Sequence, residues 1–344
     1  MYGSHHAVVC GLAALCVTVS VSAVRAEDRT FELKISHWVP PTHPLQKAAQ
    51  EWGDDIQKVS NGTITYKIYP AQQLGKAFDH YDMVRDGIAD VVYINPGYQP
   101  GRFPIIAAGE LPFLVGQAKS GNRAIDAWYR KYAASEMKDV HYCFSFVLDP
   151  VAWHSTTKKI LLPTDIKGMK IRPAQGTIAT WVTQQGGTNV QSSAPEARDI
   201  LAKGVADAIT FPWGSMLLFG IDKVTKYDMD EPLGSVMFQW LINEATYAAM
   251  SDTQKQVIDA HCTTEWAGRF ADPWVDFEHD GLEKIKAEPE HEVYKISDEQ
   301  LAEWRKSAEP LKQKWAAGVK NAGGDPDAIW KELQDSLVRY NAGF

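Results

Sequence analysis

The sequence predicts an α/β protein in two halves, each built on a parallel-rich sheet. Three observations carry that expectation. Stretches with the strand period alternate with stretches of helix period between residues 31 and 94, and such alternation marks a parallel sheet. The same alternation returns between residues 169 and 212. The C-terminal segment then turns helical.

The elements follow in order. Phe31, Leu33 and Ile35 alternate along a first strand at 31–36. His37-Trp38-Val39-Pro40-Pro41 breaks it into a loop. Leu45, Ala48, Ala49, Trp52, Ile56 and Val59 share one helix face, and Asn61-Gly62 supplies a left-handed stop. Ile64, Tyr66 and Ile68 lie on one side of a second strand at 63–69. Pro70 and Gly75 bracket a loop, a helix over 78–86 stops at Gly87, and 90–94 is a third strand. Residues 143–148 read as a strand crossing between the halves. The second half has a strand at 169–172 and a helix at 178–185 closed by Gly186-Gly187. A helix at 196–203 closed by Gly204 and a strand at 207–211 ended by Pro212 complete it. Ser297-Asp298-Glu299-Gln300 is a capping box, with Leu301, Trp304, Ala308, Leu311 and Trp315 on one face behind it. Asp325-Pro326 opens a last helix with Ile329, Leu333 and Leu337 inward. No internal repeat and no Gly/Ser linker is evident, so crossing strands and helices are expected to join the halves.

Composition narrows the function. At 344 residues and 45% hydrophobic, the chain has apolar mass for two cores. A net charge of -8 argues against nucleic acid, which needs a concentrated basic face. Residues 7–23 are apolar, small and uncharged, and Val24-Arg25-Ala26 fits a cleavage site before Glu27. A signal peptide over 1–26 and export are therefore expected, although His5 and His6 stand where Lys or Arg is usual. Leu15 before Cys16 argues against a lipid anchor. Cleavage removes Cys10 and Cys16 and leaves Cys143 and Cys262. Those two either pair in an oxidising compartment or stay buried thiols; their spacing does not decide it.

One segment points to a ligand. In Ile166-Lys167-Gly168-Met169-Lys170-Ile171-Arg172-Pro173 an arginine ends a short apolar strand and a proline stops it. Open α/β sheets bind ligands at strand carboxyl ends. A guanidinium keeps its charge, and its planar fork matches a carboxylate. Catalytic signatures are absent: the sequence has no P-loop, no Gly-x-Gly-x-x-Gly after a strand, no Gly-x-Ser-x-Gly elbow and no His-Glu-x-x-His. His261-Cys262 lacks further ligands at metal spacing, and Asp228-Met229-Asp230-Glu231 reads as a solvated acidic turn before Pro232. Binding leads over catalysis, with no cofactor and no metal expected.

An ordered set of segments resembles the extracytoplasmic solute-binding proteins of TRAP transporters, the DctP-type family. It comprises Asn61-Gly62, Tyr69-Pro70-Ala71-Gln72-Gln73-Leu74-Gly75 and Val84-Arg85-Asp86-Gly87-Ile88-Ala89-Asp90. Pro96-Gly97-Tyr98, Gly101-Arg102-Phe103-Pro104 and Glu110-Leu111-Pro112-Phe113-Leu114 follow. Residues 166–173, Glu196 and Leu201-Ala202-Lys203-Gly204-Val205-Ala206-Asp207 complete it, collinear from about Phe31 to the C-terminus. The resemblance implies a periplasmic-binding-protein-like fold: two lobes, an interlobe cleft and a long helix spanning both. It implies lobes of 27–148 with 238–279, and 149–237 with 280–344. It also implies a periplasmic location, delivery to a membrane permease, and an arginine, here Arg172, paired with the ligand carboxylate. A monomer is expected. One subgroup of the family uses a bridging cation.

Two departures shape the expected ligand. Many relatives carry a second arginine after the crossover strand, where this chain has Asp149-Pro150-Val151-Ala152-Trp153-His154-Ser155. Many also carry Asn before Pro where Phe211 stands here, ahead of Pro212-Trp213. Walls of Trp153, Phe211 and Trp213 would favour a ring by about 2 kcal/mol or more. They would leave a second carboxylate or a sugar hydroxyl unpaired, at about 1–3 kcal/mol each. An aromatic or apolar monocarboxylate is therefore expected, ahead of a C4-dicarboxylate or sugar acid. Further candidates are His37 and Trp38 after the first strand, Asn95 and Tyr98 after the third, and Gln175 beyond Arg172. Gln73 enters by the resemblance alone; His154 and Trp240 are site or core. The competing readings are an exported hydrolase or lyase using His37 or His154, and a sensory receptor.

Overall fold

The computed structural model describes residues 1–3 and 29–344. The expected signal peptide, with Cys10 and Cys16, lies outside the described residues apart from its first three positions. The strands are β1 Phe31–Ser36, β2 Ile64–Tyr69, β3 Val91–Ile94, β4 Val140–Val147, β5 Ala152–Ser155, β6 Lys170–Arg172, β7 Thr188–Asn189, β8 Ala208–Phe211, β9 Tyr227–Met229, β10 Met237–Asn243 and β11 Glu292–Tyr294. The helices are α1 Pro44–Val59, α2 His80–Arg85, α3 Ala118–Tyr129, α4 Ala133–Glu136, α5 Gly176–Gln184, α6 Ala197–Ala202, α7 Trp213–Leu218, α8 Glu244–Ala248, α9 Asp252–His261, α10 Thr264–Ala287, α11 Asp298–Asn321 and α12 Pro326–Arg339.

Two sheets result, ordered β2-β1-β3-β10-β4 and β11-β9-β5-β8-β6-β7. In the first, β1 runs parallel to β2 and β3 while β10 is antiparallel to both neighbours. In the second, β6 runs parallel to β7 and β8 while β5 is antiparallel to both neighbours. Read from β7, the second order matches the first over five strands, with β11 added at the far edge, a repeat that the residues alone did not disclose. The match reaches side chains. Asp90 accepts from the Lys34 N–H at 2.9 Å, and Asp207 accepts from the Lys170 N–H at 2.8 Å. The lysine beside each aspartate bonds the Gly87 or Gly204 carbonyl, at glycines with φ of +73° and +65°.

The halves meet through chain crossings. β4 leads into β5 from the first sheet to the second, and β10 returns as a central strand of the first. The 24-residue α10 packs on α3, α1 and β4 of the first half and on α7 and β11 of the second. It is the spanning helix that the resemblance implied. α12 lies on α3, with the Trp128 indole donating to the Ile329 carbonyl and Ser336 to the Ala124 carbonyl. The last helix of the expected second lobe therefore rests on the first half. A disulfide joins Cys143 on β4 to Cys262 after α9, which answers the question left open by spacing. Among the described residues no helix is long and apolar enough to cross a membrane, and no cluster of three or more His, Cys, Asp or Glu could hold a metal.

Candidate functional site

The carboxyl ends of β1, β3, β6 and β8 converge on one cavity of about 40 Å³. Trp38, Tyr93, Tyr98, Phe211, Phe219, Phe238 and Trp274 supply rings, and Arg172, Asn95, His43 and Ser215 supply polar groups. Arg172 ends β6, where Pro173 closes the strand as the sequence required. Its side chain is 1% exposed. Its Nε donates to the Ser192 carbonyl at 3.0 Å and its Nη2 to the Tyr98 hydroxyl at 3.2 Å. The guanidinium also lies 5.6 Å from the Phe211 ring centre. Among the described residues no carboxylate comes within 4 Å of it, and no acceptor bonds Nη1. Burying an unpaired cation is expensive, and an anion placed at this point would offset that cost.

Tyr98 supplies a further donor. Its hydroxyl accepts from Arg172 Nη2 and from the Ala194 N–H at 2.9 Å. Both lone pairs are engaged, so its own proton remains to be donated. Tyr98 follows β3 of the first sheet, whereas Arg172 and Ala194 belong to the second half. The Asn95 amide crosses the same seam to the Ala174 carbonyl at 3.0 Å, and its oxygen caps Gly97 N at 2.9 Å. These bonds shut the cleft over the cavity.

A second polar group lies opposite. Glu278 on α10 is 3% exposed and accepts from Gly214 N, Ser215 N, Trp274 Nε1 and the Ser215 hydroxyl. Burial pushes its carboxyl up to about 7 despite those donors. α7 and α10 touch through Gly214 and Gly281, where a Cβ would collide with the facing backbone. The contact brings Glu278 under the start of α7. His43, the N-cap of α1, accepts from Leu45 N at 3.1 Å through Nδ1. Nε2 therefore carries the ring proton, 3.4 Å from the Ser215 hydroxyl. Burial holds the ring neutral, with its pKa lowered to about 3. Ser215, His43 and Glu278 have the residue types of a hydrolytic triad but the wrong tautomer: His43 cannot take a proton from serine through a nitrogen that already bears one.

The other expected residues fall as follows. Trp38, Asn95, Tyr98, Arg172 and Phe211 line the cavity. Trp153 lies outside it, packed on Trp304 and Trp181 at 5.3 and 6.3 Å between ring centres. His154 is buried behind Phe211, with Nδ1 2.7 Å from Asp228 and Nε2 3.1 Å from the Phe211 carbonyl. Burial alone would raise the Asp228 carboxyl, but bonds from His154 and His291 outweigh it and hold it low. Trp213 stands edge-on to His154 at 4.8 Å, a layer behind the cavity. His37 bonds Gln46 at 2.8 Å, and burial lowers it to about 4. Gln175 donates to the Ser235 carbonyl at 2.9 Å, and its buried oxygen finds no partner. Gln73 is exposed on its loop. Trp240 is core, edge-on to Trp52. Sequence reasoning missed His43, Tyr93, Phe238, Trp274, Ser215 and Glu278. Only His43 carried a local signal, its place in the loop after the first strand.

Residues 35–318 match the model of the bacterial extracellular solute-binding proteins, family 7. The chain belongs to that family. Solved TRAP solute-binding proteins share its fold. One from a marine metagenome, specific for aromatic acid ligands and bound to 3-hydroxybenzoate, is 31% identical. That match covers 91% of this chain and 99% of that one, with a TM-score of 0.84. One from Bordetella bronchiseptica with (R)- and (S)-mandelate is 27% identical, covering 90% and 99%, with a TM-score of 0.84. One from Rhodoferax ferrireducens with benzoate is 25% identical, covering 90% and 98%, also at 0.84. The family 7 fold thus accounts for the two sheets and the cleft, and in this solute-binding protein Phe211 lies beside Arg172.

Proposed function

We propose that this TRAP solute-binding protein captures an aromatic monocarboxylate in the periplasm and passes it to a membrane permease without chemical change. The observation that carries the reading is the buried, acid-free guanidinium of Arg172 inside a ring-lined cavity. The ligand carboxylate takes Nη1 of Arg172 and the free proton of Tyr98, and its ring lies among Trp38, Phe211 and Phe238. Loss of water from the closing cleft strengthens the ion pair, because the local dielectric falls. The aromatic acids bound by the three similar proteins fit the same chemistry. A hydroxyl on the ligand would find Ser215 or His43.

The test is calorimetry with 3-hydroxybenzoate, mandelate, succinate and galacturonate. The aryl acids are expected to bind, and Arg172→Ala to weaken them at least a hundredfold, about 2.7 kcal/mol. Succinate binding more tightly than 3-hydroxybenzoate, or Arg172→Ala binding like the wild type, would overturn the reading.

A further inference from the structure

A second cavity, of about 240 Å³, lies outside the cleft. It opens where the turn after β3, the N-terminus of α5 and the middle of α11 meet, so both halves contribute to it. Phe103, Ile106, Leu311 and Trp315 make its walls. The Trp315 N–H already bonds the Pro104 carbonyl at 2.9 Å, which leaves the indole as apolar surface. One charged group, Glu110, is set among these walls and is 2% exposed. Its Oε2 accepts twice from Thr177, from the backbone N–H at 3.2 Å and the hydroxyl at 3.0 Å. Among the described residues no donor reaches its Oε1 and no cation lies within 4 Å of it. Lys314 lines the same cavity but is exposed at the rim, where water screens its charge.

A buried carboxylate with one oxygen unbonded is costly unless a partner supplies donors or charge. Apolar pockets with one convergent charged group are the usual form of small-molecule sites. We propose that this cavity is a second ligand site, taking a small ammonium compound with an apolar body, its nitrogen on Glu110 Oε1 and its body against Trp315 and Phe103. The site goes beyond the anion site in the cleft and differs from it in charge. Because Glu110 and Thr177 come from opposite halves, an occupant would hold the closed arrangement, and closure would in turn build the site.

Benzylamine titrated into the full chain tests this, by calorimetry at pH 8. Burial pushes the Glu110 carboxyl up to about 7, so it is ionised there. One saturable site is expected, not displaced by 3-hydroxybenzoate. Glu110→Gln is expected to weaken it at least tenfold. Thr180→Trp fills the cavity, keeps Glu110, and is expected to abolish binding; it decides the matter if Glu110→Gln does not fold. No saturable heat with the wild type, displacement by 3-hydroxybenzoate, or unchanged binding in the folded variants would overturn the proposal.

Discussion

Tyr98 does more than line a cavity. Carried on the first half, its oxygen is the point where Arg172 and the Ala194 backbone, both of the second half, end. Removing that oxygen strands two buried donors and, on the proposed reading, deletes one ligand contact. Each unmade bond of this kind costs about 1–3 kcal/mol. Tyr98→Phe is therefore expected to weaken 3-hydroxybenzoate binding by about tenfold to a hundredfold while keeping the ring wall. Calorimetry on the folded variant checks it, and wild-type affinity would remove Tyr98 from the anion site. The same scale shows what a sequence can reveal about a site. Arg172 was legible because a strand end followed by proline places a side chain at a sheet edge. Trp153 and His154 were not, because strand alternation gives two faces without saying which meets the cleft. Trp153 went to the tryptophan cluster under α11, and His154 went behind Phe211.

Among elements, the junction of α7 with α10 has the clearest energetic signature. Two glycines let the helices touch, and Glu278 then caps the start of α7 in a nearly dry place. Burial raises its carboxyl from an ordinary 4.5 to about 7. The folded form thus holds a proton that the unfolded form has released between those values. Its contribution is fully present below about pH 4.5 and fades as pH rises through 7. The buried histidines His37 and His43 act oppositely and lower down, since their pKa values fall to about 4 and 3. Comparison with Glu278→Gln isolates the glutamate. Relative to that variant, the wild type is expected to lose up to about 3 kcal/mol of stability between pH 5 and 8. Urea unfolding of both proteins across that range measures it, and parallel pH profiles would contradict it. No local pattern announced Glu278, which acts on residues 63 and 64 positions away. β10 was equally hidden: Met237–Asn243 is buried on both faces, so its apolar run lacks the alternation that exposed β1 and β2.

For the whole molecule, the cost of a buried cation becomes a rule about shape. The cleft is shut by Tyr98, Asn95 and Glu110, each bonded across the seam. Shutting it strips water from Arg172 without offering a protein carboxylate in exchange. On the proposed reading, an aromatic acid enters when the halves part, and its carboxylate then offsets the penalty of closing. A ligand shifts such an equilibrium only by its differential affinity for the two shapes. Small-angle scattering should accordingly show the ligand-free protein expanded at neutral pH and the 3-hydroxybenzoate complex more compact. In Arg172→Ala the closing penalty and the anion contact vanish together, so its scattering should not respond to the acid. Identical curves for the wild type with and without saturating ligand would mean that the seam bonds alone hold the halves together, and that capture does not depend on closure.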